Sequence, residues 1–182
     1  MTKEDLDYLD RTIRRIPDFP RKGILFYDIS TLIKDGKAFT KAIDILCENI
    51  EKNIGKDGFS KVVSIESRGF IFGSAIAYIF KKGLVIVRKE GKLPAETISY
   101  SYGLEYGTAT VEIHIDAIDE NEKVLIVDDL LATGGTALAA CKIVRDLRGI
   151  PVACVFLIEL ENLGGRRKIE EEGIKVISVI KY

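Results

Sequence analysis

Residues Val124 to Ala137 read VLIVDDLLATGGTA: an apolar run ends in the adjacent carboxylates Asp128 and Asp129, and Thr133-Gly134-Gly135-Thr136 follows almost at once. Carboxylates repel phosphate but accept hydrogen bonds from hydroxyl groups. Glycine-rich turns do the reverse, because their freed backbone N–H groups attract anions, most strongly at the positive end of a helix. A ligand that satisfies both has a phosphate at one end and hydroxyls at the other, and a phosphorylated sugar fits that description. The spacing is neither the G-x-x-x-x-G-K-[ST] of a Walker loop nor the G-x-G-x-x-G of a dinucleotide fold. For the tetrapeptide alone a plainer reading stays open, in which the aspartates cap a turn that the glycines make.

Other stretches carry charge or aromatic rings at strand ends. In ESRGF, Glu66 to Phe70, Arg68 offers a planar fork to phosphate oxygens, and the amides around Ser67 and Gly69 can approach the same anion. In RKEGKLPAET, the cations Arg88, Lys89 and Lys92 crowd one strand end, where they would neutralise a leaving pyrophosphate or simply line a solvated loop. SYSYGLEYG sets the carboxylate Glu105 and several tyrosines around Gly103 and Gly107. That composition suits a loop that closes over substrate and excludes water, or an aromatic interaction edge. PDFPRKGILFYDIS places Leu25 and Phe26 in an irregular segment, where a ring could stack on a purine, although Phe26 by itself suits a core equally well.

The histidine and the cysteines, residue types that often carry chemistry, read here as structural. His114, the one histidine, shares the polar face of TATVEIHI with Thr110 and Glu112, opposite Val111, Ile113 and Ile115, and is expected to be solvated. Proton handling then falls to carboxylates, lysines or tyrosines. Cys47, Cys141 and Cys154 are odd in number, without a C-x-x-C pair, and are expected to be buried reduced thiols.

Positioning these groups requires a frame, and the periodicities describe one. Thr2 and Asp5 form a capping box ahead of Leu6, Leu9, Ile13 and Ile16 at helical spacing, with Pro17 ending the pattern. Asp35 caps a second helix with Phe39, Ile43, Leu46 and Ile50 on one face, closed by Gly55 and Gly58. KVVSI, GLVIV and KVLIV read as strands buried on both faces, the last stopping at Val127, and PVACVFLIEL and VISVI follow as further strands. FIFGSAIAYIF and a helix lined by Ala140, Val144 and Leu147, closed by Gly149, alternate with them. The order predicts an α/β fold with a parallel, doubly wound central sheet. From it an antiparallel hairpin, Ser99 to Ile115, is expected to project around GLEYG.

With 27 Lys plus Arg against 28 Asp plus Glu in 182 residues, the net charge of −1 gives no global attraction to nucleic acid or an acidic membrane surface. A charged N-terminus and the lack of a long apolar run lead to the expectation of a cytoplasmic protein with no membrane partner. The length suits one domain, residues 1–182, with a base-binding segment over about residues 1–34.

PDFP, GILF, ESRGF, RK and GKLP, LEYG and VDDLLATGGT stand in the order and spacing of the adenine phosphoribosyltransferase family, a branch of the type I phosphoribosyltransferases, and the resemblance runs from the PDFP region to the G-R segment at Gly165. It implies the type I fold with a small N-terminal hood, and transfer from 5-phosphoribosyl-1-pyrophosphate (PRPP) to adenine, with Mg²⁺ carried on the pyrophosphate and no metal site of the protein's own. It further implies that Ala132, Thr133, Gly134, Gly135 and Thr136 hold the 5-phosphate, Asp128 and Asp129 the ribose hydroxyls, and Arg68 and Lys89, helped by Arg88 and Lys92, the pyrophosphate. Leu25, Phe26, Tyr27 and Leu160 would border the base, Tyr106 would touch substrate, and Glu105 would be the acid/base carboxylate. A homodimer is implied as well. One departure is Tyr27, where the family often carries Arg. Two rivals stay open: a PRPP-sensing regulator without catalysis, and an enzyme acting on a 6-oxopurine.

Overall fold

The computed structural model of the chain describes residues 2–103 and 107–182, and these divide into two compact units, one ending at Ile45 and one beginning at Leu46. In the first, the Asp5 amide donates to the Thr2 hydroxyl and the Thr2 amide to the Asp5 carboxylate, so the capping box forms and opens α1, Lys3–Thr12. The helix is shorter than the spacing of its apolar residues implies. Ile13 is already extended, and Ile16 lies in β1, Arg14–Pro17, which pairs antiparallel with β2, Leu25–Asp28. The stretch around Leu25 and Phe26 is therefore a strand and not irregular. Four-residue strands are too short to show a period, and it is their cross-pairing, from Arg14 with Asp28 to Pro17 with Leu25, that defines them. After α2, Ser30–Ile33, Asp35 Oδ1 accepts from the Lys37 and Ala38 amides at 2.9 and 3.2 Å, the predicted cap of α3, Gly36–Ile54.

The second unit alternates as predicted: β3 (Lys61–Ile65), α4 (Gly69–Phe80), β4 (Gly83–Lys89), β5 (Thr97–Gly103), β6 (Thr108–His114), β7 (Lys123–Leu131), α5 (Gly135–Asp146), β8 (Ile150–Glu159), α6 (Gly165–Glu171) and β9 (Lys175–Lys181). They form one sheet in the order β5-β6-β4-β3-β7-β8-β9, parallel from β4 to β9. Alternation along β3 explains the double winding. Val63 and Ile65 join Val124, Ile126 and Phe156 against Ala137, Ala140 and Val144 of α5. Val62 and Ser64 face α4, where Gly73 sits so close that a Cβ would lie 2.6 Å from that of Ser64. The hairpin does more than project: β6 pairs with β4, matching Arg88 to Glu112 and Lys89 to Val111, and so extends the sheet.

Three features depart from expectation. β7 does not stop at Val127; it runs through both aspartates to Leu131, because Asp128, Leu130 and Leu131 keep pairing with Phe156, Ile158 and Glu159 of β8. Glu112 is not on a solvated face but is 5% exposed, while Ile115 on the supposed apolar face is exposed. At the end of α5 the left-handed residue is Arg148 (φ 64°), and Gly149 is needed instead for space, since a Cβ there would come 2.7 Å from Ile118 Cγ2. None of the cysteines is in a disulfide: Cys141 and Cys154 are buried with Sγ atoms 3.5 Å apart, and Cys47 is only half-buried. Among the described residues, no helix is long and apolar enough to cross a membrane.

Candidate active site

A cavity of about 700 Å³ opens beyond the carboxyl ends of β3, β4 and β7, the place where loops and helix starts converge in a parallel sheet. Asp128 and Asp129 form its floor together with Arg68. The Asp129 amide donates to Asp128 Oδ1 at 2.9 Å, and Arg68 Nε lies 3.0 Å from Asp129 Oδ2. Gly69 permits this crowding, since a Cβ on it would stand 2.9 Å from Asp128 Oδ1. Burial pushes the Asp128 carboxyl well above the ordinary range, and the neighbouring Asp129 charge pushes it further. Asp129 is also raised by burial, against the pull of the Arg68 guanidinium. The pair is thus desolvated with few donors to satisfy it.

Next to this floor, Gly134 adopts φ 82° and opens α5, so that the amides of the first turn have no acceptor within the helix. Ala132, Thr133, Gly134, Gly135 and Thr136 line a pocket of about 80 Å³ with Asp128 and Phe156. An unforeseen residue reaches it from the hairpin. The Tyr102 hydroxyl lies 2.9 Å from Thr136 Oγ1, and its ring is 3.1 Å from where a Gly135 Cβ would stand. The run of tyrosines marks this hairpin in the sequence, but no local pattern singles out Tyr102.

Across the cavity the basic cluster is organised around Glu66, whose role no pattern in ESRGF discloses. Its carboxylate accepts from Lys92 Nζ at 2.6 Å, the Lys89 amide at 2.9 Å and Arg88 Nη2 at 3.3 Å. Burial favours the neutral acid, but these hydrogen bonds outweigh it and hold the Glu66 pKa at about 2. The Glu66–Ser67 peptide is cis. Arg88 and Lys92 are therefore engaged with Glu66, whereas the Lys89 side chain is exposed and lines the cavity with Arg68. Glu112 clamps the same loop, accepting from the Lys92 and Leu93 amides at 2.9 and 3.0 Å. Burial opposes its ionisation, and the amides of Leu93, Gly91 and Lys92 lower its pKa nonetheless.

An acidic pair, a helix-opening Thr-Gly-Gly-Thr and a basic rim around one cavity match what comparison with known proteins finds: residues 30–181 fit the phosphoribosyl transferase domain. The chain belongs to the phosphoribosyltransferase family. It is 52% identical to the adenine phosphoribosyltransferase of Geobacter metallireducens, over 97% of this chain and all of that one. The crystal structure of adenine phosphoribosyltransferase from Thermoanaerobacter pseudethanolicus superposes with a TM-score of 0.92 at 50% identity, covering 97% of this chain and 99% of its own. That of the Saccharomyces cerevisiae enzyme, complexed with an imino-altritol bisphosphate and adenine, gives 0.92 at 35% identity, over 98% and 99% of the two chains.

The phosphoribosyltransferase residues expected on the base side are reached separately in the two units. In the first, Leu25 is exposed, Phe26 packs edge-on against Phe19 with centroids 5.0 Å apart, and the Tyr27 ring lies 6.0 Å from the Arg15 guanidinium. In the second, Leu160 follows β8 half-buried, its amide donating to the Leu131 carbonyl at 2.9 Å. Glu105 and Tyr106 lie outside the described residues.

Proposed function

We propose that this chain transfers the 5-phosphoribosyl group of PRPP to adenine, giving AMP and pyrophosphate in purine salvage. The observation that carries the proposal is the acidic pair of the main cavity adjoining a phosphate-sized recess at the start of α5. As the bond from the base nitrogen to the anomeric carbon forms and the bond to pyrophosphate breaks, the ribosyl carbon gains cationic character. Asp128 and Asp129 accept from the ribose hydroxyls and place negative charge near that carbon. Ala132 to Thr136 hold the 5-phosphate through amides and hydroxyls. Arg68 and Lys89 take the pyrophosphate, with Arg88 and Lys92 keeping the rim in place through Glu66.

Glu105 is proposed to accept or share the proton of the attacking base, and Tyr106 to contact substrate beside it. Leu25, Phe26 and Tyr27 are proposed to recognise adenine, and Leu160 to border it. Mg²⁺ is proposed to accompany PRPP, carried on its pyrophosphate oxygens. When bound, it neutralises the departing pyrophosphate oxygens. A homodimer is proposed to cover Tyr78 and Ile79 of α4 and Leu84 beside it, which are 85%, 47% and 41% exposed. The cytoplasm is the proposed compartment.

Pyrophosphate release from PRPP and Mg²⁺ with adenine, hypoxanthine or guanine tests this directly. Adenine should be used at least about 100-fold more efficiently, because a site that hydrogen-bonds the correct base edge leaves buried groups unpaired with the wrong one. Preference for a 6-oxopurine, or PRPP binding without turnover, overturns the assignment.

A further inference from the structure

The phosphate recess leans on a second stretch of backbone. A Cβ on Gly165 would run into the Ala132 carbonyl and come 2.8 Å from Leu131 Cδ1 and 3.0 Å from the Gly134 nitrogen; a Cβ on Gly134 would come 3.0 Å from the Gly165 carbonyl. Two main chains thus meet with no side chain between them. The neighbouring Arg166 anchors the second one. Its Nε and Nη2 donate to the two oxygens of Glu159 at 2.8 and 2.6 Å, and Nη2 also to Ser178 Oγ at 3.0 Å. Nη1 donates to the Val176 carbonyl at 2.9 Å and Glu170 at 3.0 Å. Glu159 is 2% exposed, and Leu160 beside it bonds to the Leu131 carbonyl just ahead of the recess. One guanidinium therefore ties the start of α6 to the end of β8 and the first half of β9.

We propose that Gly165 and Arg166 are positioning residues for the 5-phosphate: a backbone wall, pinned by the half-buried Arg166 to the buried Glu159, that keeps the amides of 132–136 aimed at one point. The proposal rests on the reading of 132–136 as the phosphate site. Amides bind an anion well only when their directions are set beforehand, and the wall supplies that constraint without touching substrate.

Gly165→Ala and Arg166→Lys test it, with steady-state kinetics, titration of ribose 5-phosphate and thermal unfolding on the full chain. The KM for PRPP should rise about tenfold in Gly165→Ala and about threefold in Arg166→Lys, which keeps the charge but loses the fork. The ribose 5-phosphate affinity should weaken in parallel, while kcat and the KM for adenine stay within about twofold. Unchanged PRPP and ribose 5-phosphate constants in an active enzyme overturn the wall and leave the functional reading standing. So does a fall in kcat with equal rises in both KM values, which general loosening would produce. Should Gly165→Ala fail to fold, Arg166→Lys decides alone. Should the unsubstituted protein make no AMP, the functional reading falls, and the ribose 5-phosphate titrations still test the wall.

Discussion

Two acidic corners line the same cavity and have opposite electrostatics. Glu66 is surrounded by Lys92, Arg88 and a backbone amide, and its charge is satisfied within the protein. Asp129 is buried and Asp128 half-buried, and their donors among the described residues are the Arg68 guanidinium and backbone amides of their own strand, so their ionised forms are costly in the free protein. A carboxylate that builds the site supplies its own donors. The pair proposed to bind ligand is left short of them, and hydroxyl groups of a bound sugar would make up the deficit.

The comparison breaks most visibly at Asp128. Asp128→Asn removes the charge proposed to accept from the ribose, so kcat/KM for PRPP should fall about 30- to 100-fold, the scale of a lost charge-assisted hydrogen bond. Stability should move the other way. A folded-state pKa raised above 3.8 contributes stability that is full below that value and is lost as pH rises through the raised pKa, so at neutral pH the carboxylate destabilises the fold. Thermal unfolding at pH 7 should therefore find Asp128→Asn at least as stable as the parent.

Glu66→Gln should do the reverse and cost about 1–2 kcal/mol, because the partly exposed Lys92 and Arg88 lose a charged acceptor. Here the folded pKa is depressed from 4.5 to about 2, so its contribution is full above pH 4.5 and disappears as pH falls toward 2. Urea unfolding between those limits should show a flatter pH dependence in Glu66→Gln. If both variants shift stability in one direction, the distinction between the corners is lost.

The smallest effect sharpens the contrast on the ligand-binding side. The Tyr102 hydroxyl occupies Thr136 in the free protein, so Tyr102→Phe should release it and lower the KM for PRPP by about threefold, in keeping with the roughly 1 kcal/mol of a neutral hydrogen bond. A KM that rises instead would make Tyr102 a ligand of the substrate.

Much of the frame was legible in the chain itself. The runs KVVSI, GLVIV and KVLIV became parallel strands, Asp35 capped its helix, and Gly134 took the left-handed turn that starts α5. Such features arise from a few neighbouring residues, whose alternation, caps and backbone freedom act over one or two turns of chain. Tertiary structure alone extended β7 through both aspartates, paired β1 with β2, ringed Glu66 with donors from β4 and the following loop, and set Gly165 against Gly134. Each of these depends on a partner well removed along the chain. A carboxylate's charge is governed by the water it loses and the donors it gains, and both are fixed only when distant strands come together.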